Sequence, residues 1–368
     1  MTVRPAPLGS ERTTRVMVVD DSAVVRGFVV RILKSDPSLE IVATCSNGET
    51  AITQIARCKP DVVILDIEMP VMDGLTALPK LLAADPGARV IMASTLTQKN
   101  AEISLEALAR GATDYIPKPT ASGLNGNENF RRDLLAKING LGRRAAVPAS
   151  NRVTAPSSSG GLNHPPVALR PASAREPRVL AIGSSTGGPQ ALLTLLAALP
   201  KHLSVPIVIA QHMPATFTTV LAQHLGRASG RPSVEAANGE PIRPGRIYLA
   251  PGDFHFEIIR DGTNLLASLN KAPKENFCRP SVNPLFRSVA RTFGGQAVAV
   301  MLTGMGSDGL EGTRELAAAG AAVIAQDEAT SVVWGMPGAI ANAGLCSAVL
   351  PLTGIAPHLG TLFAGSGR

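Results

Sequence analysis

Two groups of residues in this 368-residue chain have types and spacings that could do chemistry. The first is acidic. Asp20 and Asp21 follow directly on the apolar run VMVV, and Asp66 follows directly on VVIL. In a parallel sheet the active edge is where strands end at their carboxyl side, so the three carboxylates converge there. Carboxylates a few ångströms apart repel unless a cation shares them, and hard oxygen ligands select Mg²⁺. The run RVIMA is followed by Ser94 and Thr95, and TDYIP by Lys118 and Pro119, which adds a hydroxyl and a cation to that edge. A lysine acts as a point charge on a phosphoryl oxygen. One Asp after a strand often only caps a helix; such residues on successive strand ends describe a phosphoryl pocket.

The second group is nucleophilic. After RVLAI comes Gly183-Ser184-Ser185-Thr186-Gly187-Gly188, then a helical pattern. Gly183, Ser185 and Gly187 fit G-x-S-x-G, which holds a serine on a sharp strand-to-helix turn. The following helix start offers unpaired N–H groups where an oxyanion would develop. At this turn, Gly183 to Gly188, the spacings of a P-loop and of a dinucleotide fingerprint are both absent. Serine needs a base, and the chain has six histidines. His164 lies in a Pro/Ser-rich stretch, His202 and His224 on polar or helical stretches, and His358 near the C-terminus with no carboxylate motif around it. His212 ends the apolar run VPIVIA, at the same sheet edge as Ser185; His255, in an alternating strand pattern, is the reserve candidate. The orienting carboxylate should also follow a strand. QAVAVML ends in Thr303-Gly304-Met305-Gly306-Ser307-Asp308-Gly309, a glycine-rich turn carrying one Asp. The order Ser, His, Asp sets this chain apart from ordinary α/β-hydrolases.

The elements that must position these residues are legible as two blocks of alternating apolar runs and amphipathic stretches, the pattern of parallel sheets with crossover helices. The first block has strand-like runs at 15–19, 39–44, 61–65, 89–93 and 113–117, closed by a helix near Gly140. Five strands and five helices in that order predict a doubly wound, flavodoxin-like domain over 15–135. From 143 to 177 the chain is rich in Pro, Ser, Ala and Gly without a period, and reads as a flexible linker. The second block, 178–365, has strand-like runs at 178–182, 205–210, 246–250, 255–259, 296–302 and 321–326. Helices are expected at 188–198, 215–228, 281–293 and 310–319, and Asp261-Gly262 signals a hairpin. This predicts a doubly wound, mostly parallel α/β domain with an antiparallel insertion.

Composition narrows the classes. A hydrophobic content of 45% with 17% charged residues is that of a globular protein. No apolar run approaches the roughly 18 residues of a membrane span, and the N-terminus has no apolar core of a secretory signal. Four cysteines without a CxxC pair read as small apolar residues in a reducing compartment, so a cytoplasmic protein is expected. The formal charge is +7, but residues 1–119 hold 13 Lys+Arg against 14 Asp+Glu and residues 178–368 hold 14 against 11. The excess sits mainly in and beside the linker, and with aromatic residues at 3% no nucleic-acid reading element stands out.

VVDDS, LDIEMPVMDG, the Ser/Thr strand end and YIPKP closely resemble response-regulator receiver domains. That resemblance implies that Asp66 accepts phosphate from a sensor histidine kinase. It further implies that Asp21 and Asp66 bind Mg²⁺ with the Glu68 backbone carbonyl, helped by Asp20. Ser94 is then the switch hydroxyl (Thr95 being the neighbouring alternative), Lys118 contacts the phosphoryl group, Tyr115 changes rotamer, and the Lys118–Pro119 bond is a candidate cis bond. IGSSTGG, QHMP, APGDFHF, RPSVNPLF, LTGMGSDG and AQDEATSVVWGMP resemble the catalytic domain of the chemotaxis protein-glutamate methylesterases, the CheB family. Position by position this implies a triad of Ser185, His212 and Asp308, with Met305 near the oxyanion site and Thr186 positioning the histidine or the oxyanion. Ser184 stands where that family usually has a small apolar residue. The implied function is phosphorylation-activated hydrolysis of glutamate methyl esters, with glutamine deamidation, on methyl-accepting chemoreceptors. The esterase domain would need no cofactor, and neither nucleic acid nor membrane insertion is expected. A non-enzymatic response regulator that only docks on receptors is the alternative, and it predicts a broken triad. A transcription factor would need a helix-turn-helix output in place of the strand-rich second block.

Overall fold

The computed structural model describes residues 13–118, 128–142, 168–171 and 175–364. The chain divides into two compact units.

The first unit is built on five strands: β1 (Thr14–Val19), β2 (Leu39–Cys45), β3 (Val62–Asp66), β4 (Arg89–Ser94) and β5 (Asp114–Pro117). Helices α1 (Ala23–Leu33), α2 (Gly48–Cys58), α3 (Gly74–Ala84), α4 (Gln98–Ala109) and α5 (Glu128–Gly142) alternate with or follow them. All neighbours pair in parallel in the order β2-β1-β3-β4-β5, so the order reverses at β1. Val16 to Val19 and Val62 to Leu65 are almost wholly excluded from solvent, because a parallel sheet covered on both faces needs apolar residues without alternation. Ser22 caps α1 by accepting the Val25 N–H at 3.3 Å, and Asp73 caps α3 by accepting the Thr76 N–H at 2.7 Å. The Lys118–Pro119 bond lies outside the described residues.

The second unit holds a seven-stranded sheet and a separate hairpin. Its strands are β6 (Val179–Ser184), β7 (Ile207–Gln211), β8 (Ser233–Glu235), β9 (Ile247–Leu249), β12 (Ala297–Met301), β13 (Ala322–Gln326) and β14 (Ala348–Leu350), all paired in parallel. The order is β14-β13-β12-β6-β7-β9-β8. From β6 the chain winds out through β7, then returns to place β12 on the other side, which makes β6 the switch point where ligand crevices form. The antiparallel insertion is the hairpin β10 (His255–Asp261) and β11 (Asn264–Asn270). The helices are α6 (Gly188–Ala197), α7 (Ala215–Ser229), α8 (Val282–Phe293), α9 (Leu310–Ala318), α10 (Met336–Asn342) and α11 (Leu352–Ala364).

Four elements lie beyond the sequence reading: the strands β8 and β14 and the helices α10 and α11. β8 and β14 are three residues long, too short to show a period. α11 contains Pro357, which reads as a breaker. Within the stretch read as linker, Arg170 is held on the second unit: its N–H donates to the Cys346 carbonyl at 2.8 Å and its guanidinium to the Ala317 carbonyl at 2.6 Å.

α8 organises the rest of this unit. It buries Leu285, Phe286, Val289 and Phe293, and its Ser288 hydroxyl accepts the Ile258 N–H of β10 at 2.9 Å. α9 lies against it across Gly312, whose N–H donates to Asn283 Oδ1 at 2.9 Å. A β-carbon on Gly312 would stand 2.7 Å from Phe286 Cβ and 2.8 Å from the Asn283 carbonyl oxygen, closer than packed atoms allow. Gly312→Ala is therefore expected to destabilise the second unit by about 1–3 kcal/mol. For a domain of this size that lowers its melting point by roughly 2–4 °C per kcal/mol, readable by calorimetry; an unchanged melting point would contradict this packing.

Candidate functional site

At the carboxyl edge of the first sheet, β1 delivers Asp20 and Asp21 and β3 ends in Asp66. One oxygen from each of the three lies within 4.8 Å of the others, so one small cation could be shared among them. Lys118, just past β5, reaches in and sets its Nζ 2.8 Å from Asp20 Oδ2 and 2.6 Å from Asp66 Oδ2. Burial raises the Asp66 pKa to about 6, against the lowering effect of Lys118. Burial works against the Lys118 charge as well, but the two carboxylates outweigh it and hold its pKa above the ordinary value. Asp20 Oδ1 accepts the Ser22 N–H at 2.9 Å, and Asp66 Oδ1 the Glu68 N–H at 3.3 Å. Ser94 is buried at the end of β4 whereas Thr95 is exposed, and Tyr115 is buried in β5. The donor set is carboxylate oxygen around a lysine, which fits a hard divalent cation and a phosphoryl group.

At the switch point of the second sheet, Ser184 pairs in register with Gln211, which brings the next residues, Ser185 and His212, side by side. Ser185 Oγ lies 3.2 Å from His212 Nδ1, and His212 Nε2 lies 2.7 Å from Asp308 Oδ2. Asp308 belongs to the turn between β12 and α9. Its Oδ1 accepts the Ser281 hydroxyl at 2.7 Å and the Asn276 side-chain N–H at 3.0 Å, and its Oδ2 also accepts the Val282 N–H at 2.7 Å. Burial alone would raise this carboxyl, but the bond to His212 and the other donors bring it down to about 2. An ionised Asp308 can only accept, so Nε2 carries the ring hydrogen and the lone pair at Nδ1 faces Ser185. Burial disfavours a charged His212, yet Cys278 and Asp308 together outweigh it and hold the imidazole above its usual range.

The two adjacent serines do different things. The buried Ser184 hydroxyl donates to Gln211 Oε1 at 2.6 Å, and Gln211 Nε2 donates to the Ser185 carbonyl at 3.0 Å and the His212 carbonyl at 3.2 Å. This amide staples the ends of β6 and β7 together. On the other side the Ser185 N–H donates to the Thr303 carbonyl at 3.0 Å, and a β-carbon on Gly304 would meet Ser185 Cβ at 2.9 Å. The Thr303–Met305 turn is therefore pressed against the serine. Thr186 is buried, its carbonyl accepts the Thr303 hydroxyl at 2.9 Å, and its own Oγ1 has no hydrogen-bond partner among the described residues. It does not bond His212. His255 is not the base but backs Ser281: its Nε2–H donates to the Pro273 carbonyl at 3.0 Å and its Nδ1 accepts the Ser281 N–H at 3.4 Å.

Gln211, Ser281, Asn276 and Cys278 escape the sequence reading. The available signal was a buried amide ending an apolar strand in each of IVIAQ and AVIAQ. Gln326 repeats the stapling by accepting the Thr303 N–H at 2.9 Å and donating to the Thr330 carbonyl at 2.8 Å.

The two folds and their edges define a class: a response-regulator receiver joined to an α/β output domain. The family pattern of the response regulator receiver domain matches residues 16–124, and that of the CheB methylesterase matches 180–359. A protein of Paramagnetospirillum magneticum, named protein-glutamate methylesterase/protein-glutamine glutaminase 1, is 53% identical over 375 residues, covering 98% of each chain. One from Azospirillum brasilense, named protein-glutamate methylesterase/protein-glutamine glutaminase, is 52% identical over 377 residues, covering 96% of this chain and 95% of its own. The solved CheB methylesterase catalytic domain of Thermotoga maritima is 39% identical with a TM-score of 0.49, covering 50% of this chain and 98% of that one. The response regulator domain of the same organism's CheB is 36% identical with a TM-score of 0.32, covering 37% and 99%. The chain belongs to the CheB family of protein-glutamate methylesterases.

The acidic edge makes a direct expectation. Millimolar Mg²⁺ should raise the melting point of the first unit, and Asp21→Ala should abolish that rise while leaving the metal-free melting point nearly unchanged, because Asp21 is exposed. An equal rise in the variant would remove Asp21 from the cation site.

Proposed function

We propose that this protein is a phosphorylation-activated, serine-dependent protein-glutamate methylesterase that also deamidates glutamine, acting on the cytoplasmic domains of methyl-accepting chemoreceptors in chemosensory adaptation. The domains are a receiver over 15–135 and a catalytic domain over 178–365, joined through 143–177, and the protein works in the cytoplasm. No helix among the described residues is long and apolar enough to cross a membrane. The observation that carries the reading is the unbroken relay from Ser185 Oγ through His212 to Asp308, at 3.2 and 2.7 Å.

In this reading Ser185 attacks the ester carbonyl of a methylated glutamate while Nδ1 of His212 takes its proton, a contribution worth roughly 10²–10⁴ in rate. Asp308 keeps the hydrogen on Nε2 and stabilises the imidazolium that forms. The orphaned Thr186 hydroxyl and the Met305 backbone N–H, which has no acceptor among the described residues, suit the developing oxyanion. His212 then protonates the departing methanol, and water cleaves the acyl-enzyme by the same relay. Glutamine presents the same carbonyl with ammonia leaving.

In the receiver, Asp66 would take a phosphoryl group from a sensor histidine kinase. Mg²⁺, held by Asp20, Asp21, Asp66 and the Glu68 carbonyl, would neutralise oxygen charge there. Lys118 exchanges its contact with the Asp66 carboxylate for one with the phosphoryl oxygens, Ser94 donates its hydroxyl to another, and Tyr115 is the side chain that registers the change.

Ser185→Ala should lower kcat for methanol release by about 10³-fold or more, while Ser184→Ala leaves a working site; the reverse result would move the nucleophile. The base must be neutral, and its partners hold its pKa high, so kcat/KM should climb with pH through the neutral range. Asp308→Asn should shift that acid limb to lower pH and cut the plateau by roughly 10³–10⁴-fold. A limb that stays in place would show that Asp308 does not act on His212. A small phosphodonor with Mg²⁺ should raise the rate of the parent and leave that of Asp66→Asn unmoved.

A further inference from the structure

We propose that Cys278 is a peroxide-sensitive brake on the serine site, a thiol whose oxidation takes His212 away from Ser185. The proposal rests on His212 being the base of the hydrolysis above.

The sulfur lies 3.4 Å from His212 Nδ1, the same nitrogen that Ser185 Oγ approaches at 3.2 Å. Nε2 is committed to Asp308, so Nδ1 offers one lone pair to two donors. Cys278, His212 and Asp308 thus form a second nucleophile–base–carboxylate relay that shares its last two members with the first. A thiol set against a basic imidazole nitrogen is, like the serine alcohol, a nucleophile that the ring can activate. A basic ring nitrogen beside the sulfur together with partial exposure is the setting in which a thiol is oxidised. Cys278 is half-buried, so a small oxidant can reach it.

The remaining cysteines lack that setting. Cys45 and Cys346 are buried, and burial raises both thiols, Cys346 to about 12. Cys58 faces acceptors, the Val42 carbonyl at 3.5 Å and Gln54 Oε1 at 3.9 Å. The sulfur of Cys278 is also held in place. Glu275 and Cys278 close a tight turn with backbone bonds of 2.8 and 3.2 Å, and Asn276 and Phe277 at its tip take φ of 48° and 65°. Non-glycine residues adopt that region at a cost. Asn276 is tied to Asp308, and Arg287 grips the Glu275 carboxylate through both of its terminal nitrogens.

Hydrogen peroxide supplies the oxidation. As sulfur attacks one peroxide oxygen, His212 Nδ1 takes the thiol proton; an S–O bond forms, the O–O bond breaks, and the departing hydroxide takes that proton from Nδ1 and leaves as water. Sulfur gives up two electrons and peroxide gains them. The resulting sulfenic acid carries an O–H that reaches Nδ1 in place of the serine hydroxyl, and a thiol reductant reverses it.

The test treats the full-length chain with hydrogen peroxide, traps sulfenic acid with dimedone, maps the adduct by peptide mass spectrometry and measures methanol release on the same samples. The expected result is an adduct on Cys278 and an esterase loss of roughly a hundredfold, the worth of a general base, recovered with dithiothreitol. Cys278→Ala should keep its own untreated rate after peroxide, and Ser185→Ala should label at Cys278 as the parent does. Label on Cys58 instead, hydrolysis undiminished with Cys278 oxidised, or equal inactivation of Cys278→Ala would each overturn the proposal. A parent without esterase activity before peroxide would instead sink the serine reading and the brake with it, while the adduct would still report the thiol.

Discussion

A carboxylate buried in protein must be paid for in hydrogen bonds, and the catalytic unit is arranged around that requirement at Asp308. Four donors reach its two oxygens: the His212 ring, the Ser281 hydroxyl, the Val282 amide and the Asn276 side chain. The Val282 amide is the first of α8, so the positive end of that helix also faces the charge. Losing ionisation here would weaken those contacts and set a proton against the donors of one oxygen, which is why the carboxyl is held down to about 2 despite its burial. The direction of the His212 lone pair follows from that charge alone, and the relation of His212 to Ser185 follows from the register of β6 and β7.

The same constraint explains how distant segments are recruited. Asp308 follows β12, His212 follows β7, Ser185 follows β6, and Ser281 begins α8 after the hairpin. None is near another in the chain, and each is placed by a strand or helix end that the hydrophobic core holds. Amides finish the job: Gln211 fixes the serine and histidine loops to each other, and Gln326 fixes the Thr303 turn that backs the serine. The first unit applies the opposite solution to a similar problem. Its carboxylates are crowded and, among the described residues, Lys118 alone answers them, so burial drives the Asp66 pKa up to about 6 and leaves the pocket receptive to a cation.

Much of this was legible in the sequence because strand ends are legible. Uninterrupted apolar runs mark buried parallel strands, and the polar residue that follows each run must lie at the sheet edge. That logic brings out Asp20, Asp66 and His212; Ser185 needs the G-x-S-x-G spacing as well, and Asp308 the glycine-rich turn after QAVAVML. It also separates His212 from His255, which sits inside an alternating strand pattern and is in fact buried at the edge of β10. What stayed hidden are contacts that depend on tertiary packing. Nothing local distinguishes Ser281 from any helix cap, and the Asn276-Phe277 turn has left-handed residues where glycine would have announced it. Cys278 carries no motif at all; only the fold sets it against His212.

The central claim is that Ser185, activated through His212 by Asp308, is the atom that becomes acylated. Covalent trapping addresses it most directly: the full-length chain is incubated with a reactive organophosphonate, and the modified peptide is mapped by mass spectrometry. One adduct on Ser185, forming far more slowly in Asp308→Asn, is the result this account predicts. An adduct on Ser184 or Cys278, or a Ser185 adduct that forms equally fast without the Asp308 charge, would contradict it.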